Sequence, residues 1–179
     1  MDIARCRLLF VYGTLCDDDV LRIVLGHDLP VHCRYLAALQ DHECRMLHDE
    51  RYPVLVSSPG SRVAGRVLML GEADMQRICF FEGDEYTFEP ARVVNEVTNQ
   101  LQEVELCAAR LTTPGLRHPW SLRGWQREYK AEFVEHVHAY MALYDTASVA
   151  QADAVWKKLT GRSAGSANQG IPVPDTASR

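Results

Sequence analysis

Apolar residues recur along this chain with several spacings, and each spacing predicts an element. Leu8-Leu9-Phe10-Val11 is a continuous apolar run, as in a buried strand. It gives way at Tyr12-Gly13-Thr14-Leu15 to Asp17-Asp18-Asp19-Val20-Leu21-Arg22-Ile23-Val24-Leu25, which predicts a helix ending near Gly26. Loose alternation over residues 31–47 predicts two strands with a turn at Asp41-His42-Glu43. Tyr52-Pro53-Val54-Leu55-Val56 reads as a short extended piece, with Pro53 suited to an edge or loop. A turn cluster at residues 57–61 and a clear strand over residues 62–70 follow.

The second half changes period. Residues 72–81 have helical spacing, with Met75, Ile78 and Cys79 on one face and Gly83 as the stop. A loop over residues 82–86 precedes strands over 92–97 and 104–111, joined by a polar turn near Asn99-Gln100. Residues 112–119 read as a Pro/Gly linker, and Ser121 as an N-cap. Leu122, Trp125, Tyr129, Phe133, Val137, Tyr140 and Tyr144 then recur at steps of three or four, predicting one long amphipathic helix. A further helix is expected over residues 148–159. The sum is one mixed α+β domain over residues 1–160 with a closed or strongly curled sheet. Residues 161–179, rich in Ser, Gly, Pro and Ala, are expected to be a disordered tail.

Composition narrows the function classes. The 179 residues are 47% hydrophobic and 24% charged, enough for a proper core. A net charge of −5 with scattered Lys and Arg argues against a nucleic-acid partner. No stretch approaches the roughly 18 apolar residues of a membrane span, and residues 1–7 lack a secretory leader's apolar core, so a cytoplasmic chain is expected. Cys6, Cys16, Cys33, Cys44, Cys79 and Cys107 contain no C-x-x-C pair and read as mostly buried thiols.

Two stretches could carry chemistry. At the first strand–helix junction, Gly13 lets the backbone turn without a Cβ clash, and free N–H groups at a helix start bind anions. The same junction is also a common connector that binds nothing. In Phe80-Phe81-Glu82-Gly83-Asp84-Glu85-Tyr86, the aromatics beside Glu82 would desolvate its carboxylate and raise its pKa toward that of a general base. The competing reading is an exposed Glu at a helix end.

Together with Tyr52-Pro53-Val54-Leu55-Val56, Pro59-Gly60 and Val63-Ala64-Gly65-Arg66-Val67 between them, these stretches resemble the γ-glutamylcyclotransferase-like superfamily, most closely its plant AIG2-like (avirulence-induced gene) branch and bacterial relatives. Trp120-Ser121-Leu122 and Gly124-Trp125 are similar to the start of that branch's last helix. The resemblance implies a small mixed β-barrel with flanking helices and a long C-terminal helix. It implies a cavity whose rim, Tyr12, Gly13, Thr14, Leu15, Cys16 and Asp17, binds substrate through backbone N–H groups. It places the proton acceptor on Glu82 and pocket-lining aromatics on Tyr86 and Tyr52. The implied reaction closes a γ-glutamyl amine or peptide to 5-oxoproline and frees the amine, with no cofactor and no metal, on a small-molecule γ-glutamyl substrate. The alternative is a non-catalytic domain of the same fold that binds a small ligand in a stress-related role.

Other groups have simpler readings. His136 and His138 stand two apart on a helix and face apart, as on a solvated surface. His42, Cys44 and His48 lack a fourth metal ligand. Cys16 at a helix start would have a lowered pKa and redox sensitivity, or else be buried and inert. Asp17-Asp18-Asp19 matches the helix dipole. Trp120 and Trp125 read as packing residues.

Overall fold

A computed structural model describes residues 6–47, 52–83, 86–109 and 116–161. Strand β1 (Arg7–Val11) runs through a 3-10 turn (Gly13–Cys16) into α1 (Asp18–Leu25). Strands β2 (Arg34–Leu47) and β3 (Pro53–Leu70) follow, then α2 (Glu72–Glu82), β4 (Tyr86–Asn95), β5 (Leu101–Ala109) and the short β6 (Leu116–Pro119). Helices α3 (Leu122–Glu128), α4 (Lys130–Met141) and α5 (Val149–Leu159) complete the order.

The strands lie in the order β3-β1-β5-β4-β2, and β2 pairs back onto β3, so the sheet closes into a five-stranded barrel. Pairing β1–β5 is parallel, with Leu9 opposite Glu105; the other pairings are antiparallel. The pleat sends alternate residues to opposite faces. Phe10 packs with Ala37, Leu39, Val63, Val67, Val93 and Val104 as the barrel filling. Leu9 and Val11 pack instead with helix residues such as Val20, Ile78, Phe133 and Val137. One strand thus serves two cores. Gly65 makes this possible at the crowded end of β1: a Cβ there would stand 2.3 Å from the Val11 carbonyl oxygen and 2.5 Å from Phe10 Cζ.

The elements differ from the sequence expectations in several places. The turn expected at Asp41-His42-Glu43 is a bulge inside one 14-residue strand, and the turn cluster at 57–61 is likewise strand. Asp41 takes a φ of 57° and its Oδ1 accepts the Gly60 N–H at 2.8 Å, so the turn-forming residues relieve curvature within a ribbon. The linker expected over 112–119 ends as β6 on β2, with Arg45 opposite Pro119. The single long helix bends at Tyr129, whose φ is −126°, although its N–H still reaches the Trp125 carbonyl at 2.8 Å. The bend keeps Trp125 and Phe133 edge to face while Lys130 reaches α1. Cys79 is exposed because Asp74, Met75 and Ile78 form the inner face of α2. Asp74 is buried there, 2.8 Å from His27 Nε2.

Strands β4 and β5 also start earlier than expected, at Tyr86 and Leu101. Residues 1–5, His48, 84–85, 110–115 and the expected tail past Gly161 lie outside the described residues. Among the described residues, no helix is long and apolar enough to cross a membrane.

Candidate active site

A cavity of about 110 Å³ opens where the barrel end meets the helices. Three chain segments distant in sequence build its barrel side. The 3-10 turn after β1 brings Tyr12, Thr14 and Leu15; the start of β3 brings Pro53, preceded by Tyr52; and the end of α2 brings Phe81, Glu82 and Gly83. Tyr86 of β4 and Cys107 of β5 close that side.

The turn and the Tyr-Pro step fit one another closely. Gly13 has a φ of 69°, and a Cβ on it would stand 2.6 Å from Pro53 Cγ. Both the backbone conformation and the contact demand glycine there. The first N–H groups of a helical turn have no partner within it, and no side chain caps the start of the Gly13–Cys16 turn. The start of α1 is satisfied differently. Asp17 Oδ1 accepts from the Asp19 and Val20 N–H groups at 3.1 and 3.3 Å. The anion at that helix start is the chain's own carboxylate. Its Oδ2 meets Lys130 Nζ at 2.9 Å and accepts from Gln126 Nε2 at 2.7 Å. Cys16 also turns away from the cavity, its thiol donating to the Val11 carbonyl at 3.4 Å, and burial pushes it up to about 11. Burial therefore outweighs the helix-start effect that would have made this thiol reactive.

Glu82 is the acid on the barrel side of the cavity. The residue is half-buried at the C-terminus of α2, and its carboxylate is withdrawn from water, which pushes it up to about 7. A hydrogen bond from the Cys107 thiol opposes that rise. Burial holds the Tyr12 and Tyr86 phenols well above the usual range, and the nearby Glu82 charge raises both further. Glu82 thus sits among hydroxyls that stay protonated and can donate.

The helix side of the cavity consists of Phe133 and Tyr140 of α4 and Asp153, Trp156 and Lys157 of α5. Edge-to-face contacts lock the rings: Trp156 lies 5.4 Å from Phe133 and 5.8 Å from Tyr140 between centroids. The Tyr140 hydroxyl lies 2.9 Å from the Phe80 carbonyl oxygen and 3.0 Å from Asp153 Oδ1, sharing its proton between them.

The structure therefore brings Tyr12, Thr14, Leu15, Tyr52, Glu82 and Tyr86 to one cavity. Gly13 stands between two of its lining residues, while the Cys16 and Asp17 side chains point into the protein. Sequence reasoning left out Cys107 and the whole helix side. The helical spacing of Asp153, Trp156 and Lys157 puts them on one face of α5, but nothing local aims that face at a barrel 70 residues upstream. Of the two helical histidines, His136 packs on Trp156 and His138 is exposed.

The family model described as gamma-glutamyl cyclotransferase, AIG2-like, matches residues 9–127 of this chain. AIG2-like protein A of Arabidopsis thaliana is 27% identical over 136 residues, 75% of this chain and 81% of that protein. AIG2-like protein D of the same plant is 26% identical over 130 residues, 71% and 84% of the two chains. Among solved structures, an Arabidopsis thaliana protein determined in solution matches with a TM-score of 0.57 at 21% identity, covering 93% of each chain. A solved gamma-glutamyl cyclotransferase matches with a TM-score of 0.52 at 15% identity, covering 86% of this chain and 99% of that one.

Proposed function

Because the chain belongs to the gamma-glutamyl cyclotransferase, AIG2-like family, we propose that it converts a γ-glutamyl amine or γ-glutamyl peptide to 5-oxoproline and the free amine, with Glu82 as proton acceptor. The observation that carries this reading is one carboxylate, pushed up to about 7 by burial, inside a cavity walled by tyrosines. A base with a pKa near the working pH accepts a proton readily and returns it readily.

The chemistry asks little of the protein beyond geometry. The substrate carries its own nucleophile, so bending the γ-glutamyl chain supplies the proximity. The α-amine attacks the γ-carbonyl, a C–N bond forms in the ring, and the bond to the leaving nitrogen breaks. Glu82 takes a proton from the α-ammonium and delivers it to the leaving nitrogen; the attacking nitrogen sheds a second proton as the lactam forms, and the released amine takes that one up as an ammonium, so charge and protons balance. The N–H groups of the turn from Tyr12 to Cys16 hold the substrate's α-carboxylate or the oxygen that gains charge at the γ-carbon, whereas the Asp17 N–H is already taken by the Thr14 carbonyl at 3.0 Å. Tyr52 and Tyr86 wall the pocket beside Glu82.

The decisive experiment measures 5-oxoproline release over a panel of γ-glutamyl dipeptides and γ-glutamyl amines, for wild type and Glu82→Gln. The expected result is release by wild type and a loss of roughly 10²–10⁴-fold in the variant, the size of a general-base contribution. Release that persists in Glu82→Gln overturns the assignment of the base. Binding of these compounds without release from any of them supports the non-catalytic, ligand-binding reading instead.

A further inference from the structure

Glu82 is the last residue of α2, and the chain leaves the helix at Gly83, whose φ is 68°. The buried residues of α2 are Asp74, Met75 and Ile78, all in its first two turns. Core packing therefore fixes the start of the helix and leaves the turn that carries Glu82 to other contacts. A helix end also has four carbonyls without a partner inside the helix. The Gly83 N–H takes the first of them, that of Cys79. The next, that of Phe80, is met from outside by the Tyr140 hydroxyl at 2.9 Å.

Tyr140 is itself firmly held. It is 3% exposed on α4, and its ring packs edge to face with Trp156 of α5 at 5.8 Å between centroids. The same ring lies 5.2 Å from Phe80 and 6.3 Å from Phe81. Its hydroxyl also reaches Asp153 Oδ1 at 3.0 Å, and the Asp153 carboxylate lies beside Gly83, 3.6 Å from where a Cβ on that residue would be. Residues 80, 81 and 83 are thus all held from the helix layer, and Glu82 is the residue between them. We infer that Tyr140 is a positioning residue: its hydroxyl, braced by Asp153, fixes the last turn of α2 and with it the place of the Glu82 carboxylate in the cavity. This deepens the cyclotransferase reading and rests on it. Tyr140 acts through the backbone of α2 and takes no part in proton transfer, since its own proton is shared between Phe80 and Asp153. A loosened last turn would admit water to Glu82 and spoil the short distance over which a base must take its proton.

The test removes the hydroxyl and keeps the ring. In Tyr140→Phe, kcat for 5-oxoproline release is expected to fall roughly 10-fold to 100-fold with KM within about twofold, because the turn after β1 is untouched. His27→Gln removes the contact to Asp74 at the opposite end of α2 and controls for lost stability alone, with kcat expected within about twofold of wild type. An equal kcat loss in His27→Gln, or a Tyr140→Phe effect confined to KM, overturns the proposal. A second arm reads Glu82 without substrate, as the NMR titration of its carbon-13-labelled carboxyl, identified by its absence from Glu82→Gln. The midpoint is expected to fall by about one unit in Tyr140→Phe as water reaches the carboxylate. The other titratable groups lining the cavity, Tyr12, Tyr52, Tyr86, Cys107, Asp153 and Lys157, are the same in that variant. A midpoint that stays or rises overturns the proposal, and a direct contact between Tyr140 and substrate would leave it in place. 4-Aminophenylalanine at position 140 keeps a donor toward Phe80 and is expected to restore both kcat and the midpoint; failure to restore either overturns the role of the hydroxyl. Absence of 5-oxoproline release by wild type overturns the cyclotransferase reading alone, and the titration then decides whether Tyr140 positions Glu82.

Discussion

Glu82 meets two opposed demands at the scale of one residue. It must be desolvated enough to hold a proton near neutral pH, yet ionised often enough to accept one. Burial raises it and the Cys107 thiol pulls it back, leaving it near 7. The proposed base is the ionised form, so 5-oxoproline release is expected to rise with pH along a limb centred near 7, read as kcat/KM against pH. Cys107→Ala removes the donor that stabilises the carboxylate and is expected to shift that limb to higher pH. A shift to lower pH would show that the thiol does not donate to it. The aromatic pair Phe80-Phe81 made the desolvation of Glu82 legible, because it is adjacent in sequence. Cys107 was not legible: its meeting with Glu82 depends on β5 lying inside the closed barrel, and a lone cysteine in an alternating strand carries no mark of that.

At the scale of the element, Asp17 joins three pieces of structure. It caps α1, pairs with Lys130 at the start of α4 and accepts from Gln126 of α3, all at 1% exposure. Asp17→Ala removes the cap and leaves Lys130 with only the half-exposed Asp19, at 2.8 Å. The expected cost is roughly 2–4 kcal/mol of unfolding free energy, measured by urea titration. Asp17→Asn keeps a capping oxygen and is expected to cost less than Asp17→Ala. The helices themselves were legible because their apolar steps are local. The bend at Tyr129 was not, since the three-and-four spacing runs through it without a break; it reflects contacts to α1, more than 100 residues away. The Asp41 bulge was misjudged for a related reason. Asp and Gly mark places where the chain needs unusual backbone angles, and a bulge in a long ribbon needs them as much as a hairpin does.

The whole molecule has a pH dependence of stability that follows from two groups. Burial raises Glu82, and the hydrogen bond to Asp74, with a lesser contribution from the Asp28 backbone, raises His27. Each binds a proton more tightly folded than unfolded. The stability that protonated Glu82 contributes is present below its unfolded pKa and lost as pH rises toward 7. That of His27 is present below its unfolded pKa and lost as pH rises through its folded one. The melting temperature is therefore expected to fall between pH 5 and pH 8. Glu82→Gln and His27→Gln are each expected to flatten part of that slope in a series of thermal melts. A melting temperature that rises over this interval contradicts both assignments.

The parallel pairing of β1 with β5 has a consequence for how the chain acquires its cavity. Leu9 meets Glu105 across nearly a hundred residues, and the wall opposite Tyr12 comes from α5. The β2–β3 ribbon and the β4–β5 hairpin form from neighbouring sequence, while closure of the barrel waits on the costlier long-range contact. During synthesis, the first-made strand must remain unpaired on its β5 side until most of the chain has emerged. The cavity is then the last feature to exist, and a ligand that binds there reports on completed molecules alone.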